Sequence, residues 1–139
     1  MIVQGQCTIF KQNLLSGLEN FATGTTQVYR IALYTADAEL NAATLEYTIL
    51  NEVVGTGYVA GGEILTPIAP ASLNSTAYVS FDNALWLASS FLCRGALIYN
   101  STTNAAVTVL DFGSDKTASG TFTVTFPPPT ATTAVIRFS

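Results

Sequence analysis

The residues able to do acid–base chemistry in this chain are few, and they are carboxylates. None of the 139 residues is histidine. That removes Ser-His-Asp and Cys-His nucleophilic mechanisms and most catalytic zinc sites. Glu46, Glu52 and Glu63 fall in one stretch, and Asp111 and Asp115 in another. Paired carboxylates do acid–base work only when they face each other across a cleft, about 5 to 10 Å apart. Here the reading is solvated or turn carboxylates. Asp111 and Asp115 flank Gly113, but a DxxxD loop without further oxygens is a weak calcium pattern. Gly55-Thr56-Gly57 neither opens a helix nor leads to a P-loop lysine. Cys7 and Cys93 cannot complete a structural zinc site alone, and the expectation is two reduced, buried thiols. No catalytic residue, cofactor or metal ligand is therefore assigned.

What remains is recognition chemistry. Trp86, Tyr58, Tyr78 and Tyr99 have the surfaces for a sugar platform, but such aromatics more often serve a core or an interface. Arg30 and Arg94 sit in otherwise apolar runs, where a buried arginine needs a carboxylate or backbone carbonyls as partners. Tyr58, Trp86, Arg30, Arg94 and Phe10 are the interface candidates.

These residues must be positioned by strands. Asn51–Gly62, NEVVGTGYVAGG, carries four glycines in eight residues. Such spacing marks a tight turn with positive φ or close backbone approach, with Val53, Val54, Tyr58 and Val59 tucked inward. Lys11–Phe21 predicts one helix, from Leu14, Leu15, Leu18 and Phe21 on one face and with Gly17 inside it. Gln27–Thr35 predicts a central strand, apolar on both faces. Glu46–Val53 reads as an edge strand, and Pro67 and Pro70 bar an inner strand over Gly62–Leu73. Thr76–Phe81, Leu85–Phe91, Cys93–Tyr99, Ala106–Phe112, Thr121–Phe126 and Ala134–Phe138 follow as strands. Asn100–Asn104 is a hairpin turn and Gly113–Gly120 an exposed loop.

Many short strands and one helix predict an all-β fold, an antiparallel β-sandwich of jelly-roll or Ig-like Greek-key type with one short N-terminal helix. Residues 1–139 form a single domain, with residues 1–21 as an N-terminal arm or helix. Removing Met1–Phe10 is expected to leave the sandwich folded and to weaken association.

Charged residues make up only 10% of the chain and hydrophobic ones 49%; mean hydropathy is +0.40. A surface so poor in charge suits burial against partner subunits. Net charge is −4 with five scattered basic residues, which disfavours direct nucleic-acid binding. No apolar run has the length to span a bilayer. Met1–Phe10 lacks the pattern of an export signal, so export is not expected.

The succession YRIALYTADAEL, NEVVGTGYVAGGEIL, RGALIYN, VLDFGSDKTASGTFTVTFP and AVIRF resembles small structural proteins of tailed bacteriophages. It runs from about Gln27 to Phe138. In size and composition these proteins resemble β-sandwich head decoration (cement) proteins. The resemblance implies a virion protein on the capsid surface, made in the host cytoplasm. It implies the major capsid protein or other virion proteins as partners, and a trimer or dimer of this chain. It implies no enzyme activity and no cofactor. The alternatives are a neck, tail or fibre component, a carbohydrate-binding β-sandwich using Trp86 and the tyrosines, and an enzyme working through carboxylates alone.

Overall fold

The computed structural model describes residues 1–139. The elements are β1 (Gly5–Gln6), α1 (Thr8–Leu15), β2 (Tyr29–Tyr34), β3 (Glu63–Leu65), β4 (Pro67–Leu73), β5 (Thr76–Phe81), β6 (Ala84–Asn100), β7 (Ala105–Val124) and β8 (Ile136–Phe138). They form an all-β sandwich of two antiparallel sheets with one short N-terminal helix. One sheet has the order β1-β7-β6-β2-β3 and the other β4-β5-β8. The chain gains these elements where β-branched and aromatic residues run together, as in β2 (YRIALY). Because β2 lies between β6 and β3, both its edges are paired; residues on both its faces are buried, and only Arg30 keeps appreciable exposure.

A single apolar cluster joins the sheets, with members from Ile2 to Ile136. Phe21 links them directly: it stacks on Tyr29 of β2 at 4.4 Å and meets Phe81 of β5 edge-on at 6.0 Å. Phe10 reaches Phe21 and Phe138 of β8. Cys7 and Cys93 are free and buried, and burial pushes both thiols up to about 11.

Several elements differ from their sequence-based expectation. The helix spans Thr8–Leu15 rather than Lys11–Phe21. Gly17, at φ +75°, closes it. Its N–H bonds the Leu14 carbonyl at 3.2 Å, and the Leu18 N–H bonds that of Asn13 at 2.9 Å. This pair of bonds is the Schellman arrangement, in which a glycine takes the left-handed position just past the last turn. Gly17 is thus a terminator, and Leu18 and Phe21 belong to the segment beyond.

Glu46–Val53 forms no strand; its β pairing is limited to isolated bridges at Glu46↔Ala105 and Glu52↔Tyr34. The β4 strand is an edge strand, and its pairing with β5 slips between Ile68 and Ala71, around Pro70. Proline lacks the N–H a ladder needs, so an edge with a bulge is where it fits.

The largest difference is in β6 and β7. Leu85–Phe91 and Cys93–Tyr99 are one strand of 17 residues, and the Gly113–Gly120 "loop" lies within a partner strand of 20. Register irregularities stand where the chain looked broken. Two residues, Leu87 and Ala88, oppose Thr121; Arg94 opposes Phe112–Asp115. Ala88 and Gly113 take positive φ there, +47° and +81°. Bulges let a ladder continue past residues that would otherwise end it.

The N-terminal segment is part of this core. In β1, Gly5 and Gln6 pair with Val109 and Thr108 of β7, and Phe10 is 0% exposed.

Candidate functional site

The glycine-rich stretch wraps against the large sheet, and its glycines are sterically required. A Cβ on Gly62 would lie 1.8 Å from the Ile31 carbonyl oxygen, and one on Gly55 2.7 Å from that of Ser90. Gly57, Gly61 and Gly62 all take positive φ. Val53 is buried, whereas Val54 and Val59 point outward and are well exposed. The stretch therefore tucks in fewer apolar side chains than its composition suggests.

Glu52 anchors it. The residue is 5% exposed. Its carboxylate accepts hydrogen bonds from Tyr47 Oη, from Tyr58 Oη at 2.5 Å and from the Gly61 N–H at 2.8 Å. Tyr58 Oη accepts from the Leu33 N–H at 2.8 Å, and Tyr99 Oη donates to the Gly61 carbonyl at 2.7 Å. Burial, reinforced by the bond to Glu52, holds the Tyr47 and Tyr58 phenols well above their ordinary range, so they stay protonated donors. Glu52 is thus a tie between the glycine stretch and β2, with both oxygens engaged.

The other carboxylates do not converge on it. Glu46 and Glu63 are exposed. Asp111 accepts from the Gly113 N–H at 2.9 Å and from Arg94 Nε at 3.1 Å. These bonds, the Gly113 one first, hold its carboxyl below the usual carboxylate range. The pair fastens the Phe112–Asp115 bulge. No three His, Cys, Asp or Glu side chains gather in a metal-holding group.

Of the five interface candidates, Phe10 and Trp86 are corrected to core residues. Trp86 is 1% exposed, stacked on Tyr58 and tilted against Phe122. In this fold it cannot offer its face to a sugar. Tyr58 is half-buried with its hydroxyl committed to Glu52. Arg30 donates to the Gly62 carbonyl at 3.2 Å, and Arg94 is paired with Asp111. All five serve internal contacts.

Among the exposed apolar residues, which also include Leu15, Ile49, Leu50 and Val54, one set forms a row on β6. On β6, Ala84, Trp86, Ser89, Phe91 and Cys93 turn inward, while Leu85, Leu87 and Leu92 turn outward and are 50%, 68% and 51% exposed. Their β7 partners are threonines: Leu85 faces Thr123 and Leu92 faces Thr117. From Lys116 to Val124, β7 pairs with β6 alone. This half of the hairpin therefore carries both an outward leucine row and a free strand edge. The inward period of the run was readable, since Trp86 alternates with the leucines. What hid the surface was the larger size of tryptophan, which drew the interface reading to the wrong face.

Comparison with known protein families, curated proteins and solved structures found no match to this chain.

Proposed function

We propose that this protein is a structural component of a tailed-phage virion, a decoration protein that binds the major capsid protein lattice from outside and stabilises it. Two lines support this reading. One is the sequence resemblance over Gln27–Phe138. The other, which carries it, is the outward row of Leu85, Leu87 and Leu92 beside the unpaired β7 edge.

Isolated exposed leucines are ordinary, but a row on one sheet face is the kind of surface that a partner covers. The free edge offers N–H and C=O groups at strand spacing, to which a second strand can add. Such binding draws on apolar burial and backbone hydrogen bonds. It uses little charge, in keeping with a chain of 10% charged residues. Repeated over a lattice, modest contacts sum to a large stabilisation. Two copies of the chain meeting through this same edge would form a two-fold dimer. No helix is long and apolar enough to cross a membrane.

The test mixes the purified protein with capsid shells lacking it and measures co-sedimentation. The wild type should coat the shells in many copies. A Leu85→Ser, Leu87→Ser, Leu92→Ser variant that melts like the parent should stay in the supernatant. A wild type that ignores the shells overturns the proposal.

A further inference from the structure

A second feature is independent of that function. A cleft of about 290 Å³ opens between α1, the segment after it, and the sheet β4-β5-β8. Its walls are largely apolar: Phe10, Leu14, Phe21, Tyr78 and Phe138 contribute. Its volume is at the lower end of small-ligand sites. One wall residue breaks the pattern. Glu19 is 7% exposed and lines the cleft.

The Glu19 carboxylate is only half satisfied. Oε2 accepts from Tyr29 Oη at 2.9 Å and from Asn100 Nδ2 at 3.3 Å. Oε1 is buried and has no hydrogen-bond partner. A buried carboxylate oxygen without a donor is costly and rare in folded proteins. No cation of the chain relieves it. Arg30 and Arg94 are engaged elsewhere, and Arg137 donates to the Thr132 carbonyl and lines a different cleft. Lys11 on α1 and Lys116 on β7 are exposed. Burial raises the Glu19 carboxyl above its ordinary value, with the bonds from Tyr29 and Asn100 only partly opposing this.

We propose that this cleft binds an alkyl ammonium group, its chain lying against Phe10, Tyr78 and Phe138 and its N–H donating to Glu19 Oε1. The occupant matches the site twice, in its apolar stem and in the charge the carboxylate lacks. A free alkylamine and a lysine side chain share this chemistry.

The experiment titrates the full chain with hexylammonium and follows the backbone amide NMR signals of Asn20, Ala22 and Ala77. Saturable shifts confined to the cleft are expected. Hexanol, which keeps the stem and loses the charge, should bind about tenfold more weakly, the loss of one charge-assisted hydrogen bond. Glu19→Gln should weaken hexylammonium by a similar factor. Ala77→Phe, which fills the cleft from its exposed side and leaves Glu19 intact, should abolish the shifts; its melting curve reports whether it is folded. Competition by Nα-acetyl-lysine methylamide would support the site and assign it to a lysine. Saturation by hexylammonium without that competition would support it as a free-amine site. Equal binding of hexanol, or no saturable shift with hexylammonium, overturns the proposal.

Discussion

At the scale of single residues, the glycines and the buried carboxylates set the tolerance of the molecule. Gly62→Ala forces a Cβ to within 1.8 Å of the Ile31 carbonyl oxygen. It should destabilise the protein by more than about 3 kcal/mol, because backbone on both sides must move. Gly113→Ala meets no atom within 4 Å and shares the positive φ, so about 1 kcal/mol of conformational strain is expected. Urea denaturation of the two variants separates close approach from strain, and equal losses would refute the distinction. Glu52→Ala removes the acceptor from Tyr47, Tyr58 and the Gly61 N–H. A loss of about 3 kcal/mol is expected, since buried donors are left unpaired; a loss below about 1 kcal/mol would show that water replaces the carboxylate. The four glycines were legible as a tight turn. That Glu52 ties it was not, because the tyrosines it serves come from both sides of it in sequence and a lone glutamate has no pattern.

At the scale of elements, local signals were reliable where one strand carries one rule. Thr76–Phe81 is a strand, β5, although its alternation holds only in part, since Ala77 is exposed and Ser80 is fully buried; YRIALY is apolar on both faces and is the interior strand β2. They failed where pairing overrode punctuation. GSDKTASG has the composition of a loop, yet β6 supplies a partner for Lys116, Thr117, Ala118, Ser119 and Gly120. Hydrogen bonds to that partner outweigh weak strand propensity, and bulges absorb the awkward residues. The same lesson applies to Met1–Phe10, whose sparse apolar pattern reads as either a short strand or an arm and does not say which; Gly5–Gln6 is a strand. Its pairing partner is about a hundred residues away, beyond what local periodicity can register. Because Phe10 is fully buried, Phe10→Ala should cost about 3–5 kcal/mol. Deleting Met1–Phe10 should abolish cooperative thermal unfolding by circular dichroism. A deletion variant melting sharply near the parent temperature would restore the arm reading.

At the scale of the whole molecule, Glu19 gives the stability a dependence on pH. Its folded-state pKa is raised, so the folded chain holds this proton more tightly than the unfolded one. The stabilisation from that proton is full below the unfolded pKa and is lost as pH rises through the folded one. Asp111, lowered instead, acts with opposite sign in the acid range, and a change at Glu19 leaves it in place. Glu19→Gln removes only the first contribution. Its melting temperature relative to the parent should therefore be higher at pH 7.5 than at pH 4.5, and a difference that does not change with pH would contradict this. The β1–β7 pairing has a consequence for biosynthesis as well. Gly5 and Gln6 can find Val109 and Thr108 only after those residues leave the ribosome. At about 5–20 residues per second, this segment waits roughly 5 to 20 s for its place. Throughout that interval Cys7 lacks Val107 and Phe10 lacks Phe138, and a chaperone that shields apolar segments has a defined window in which to act.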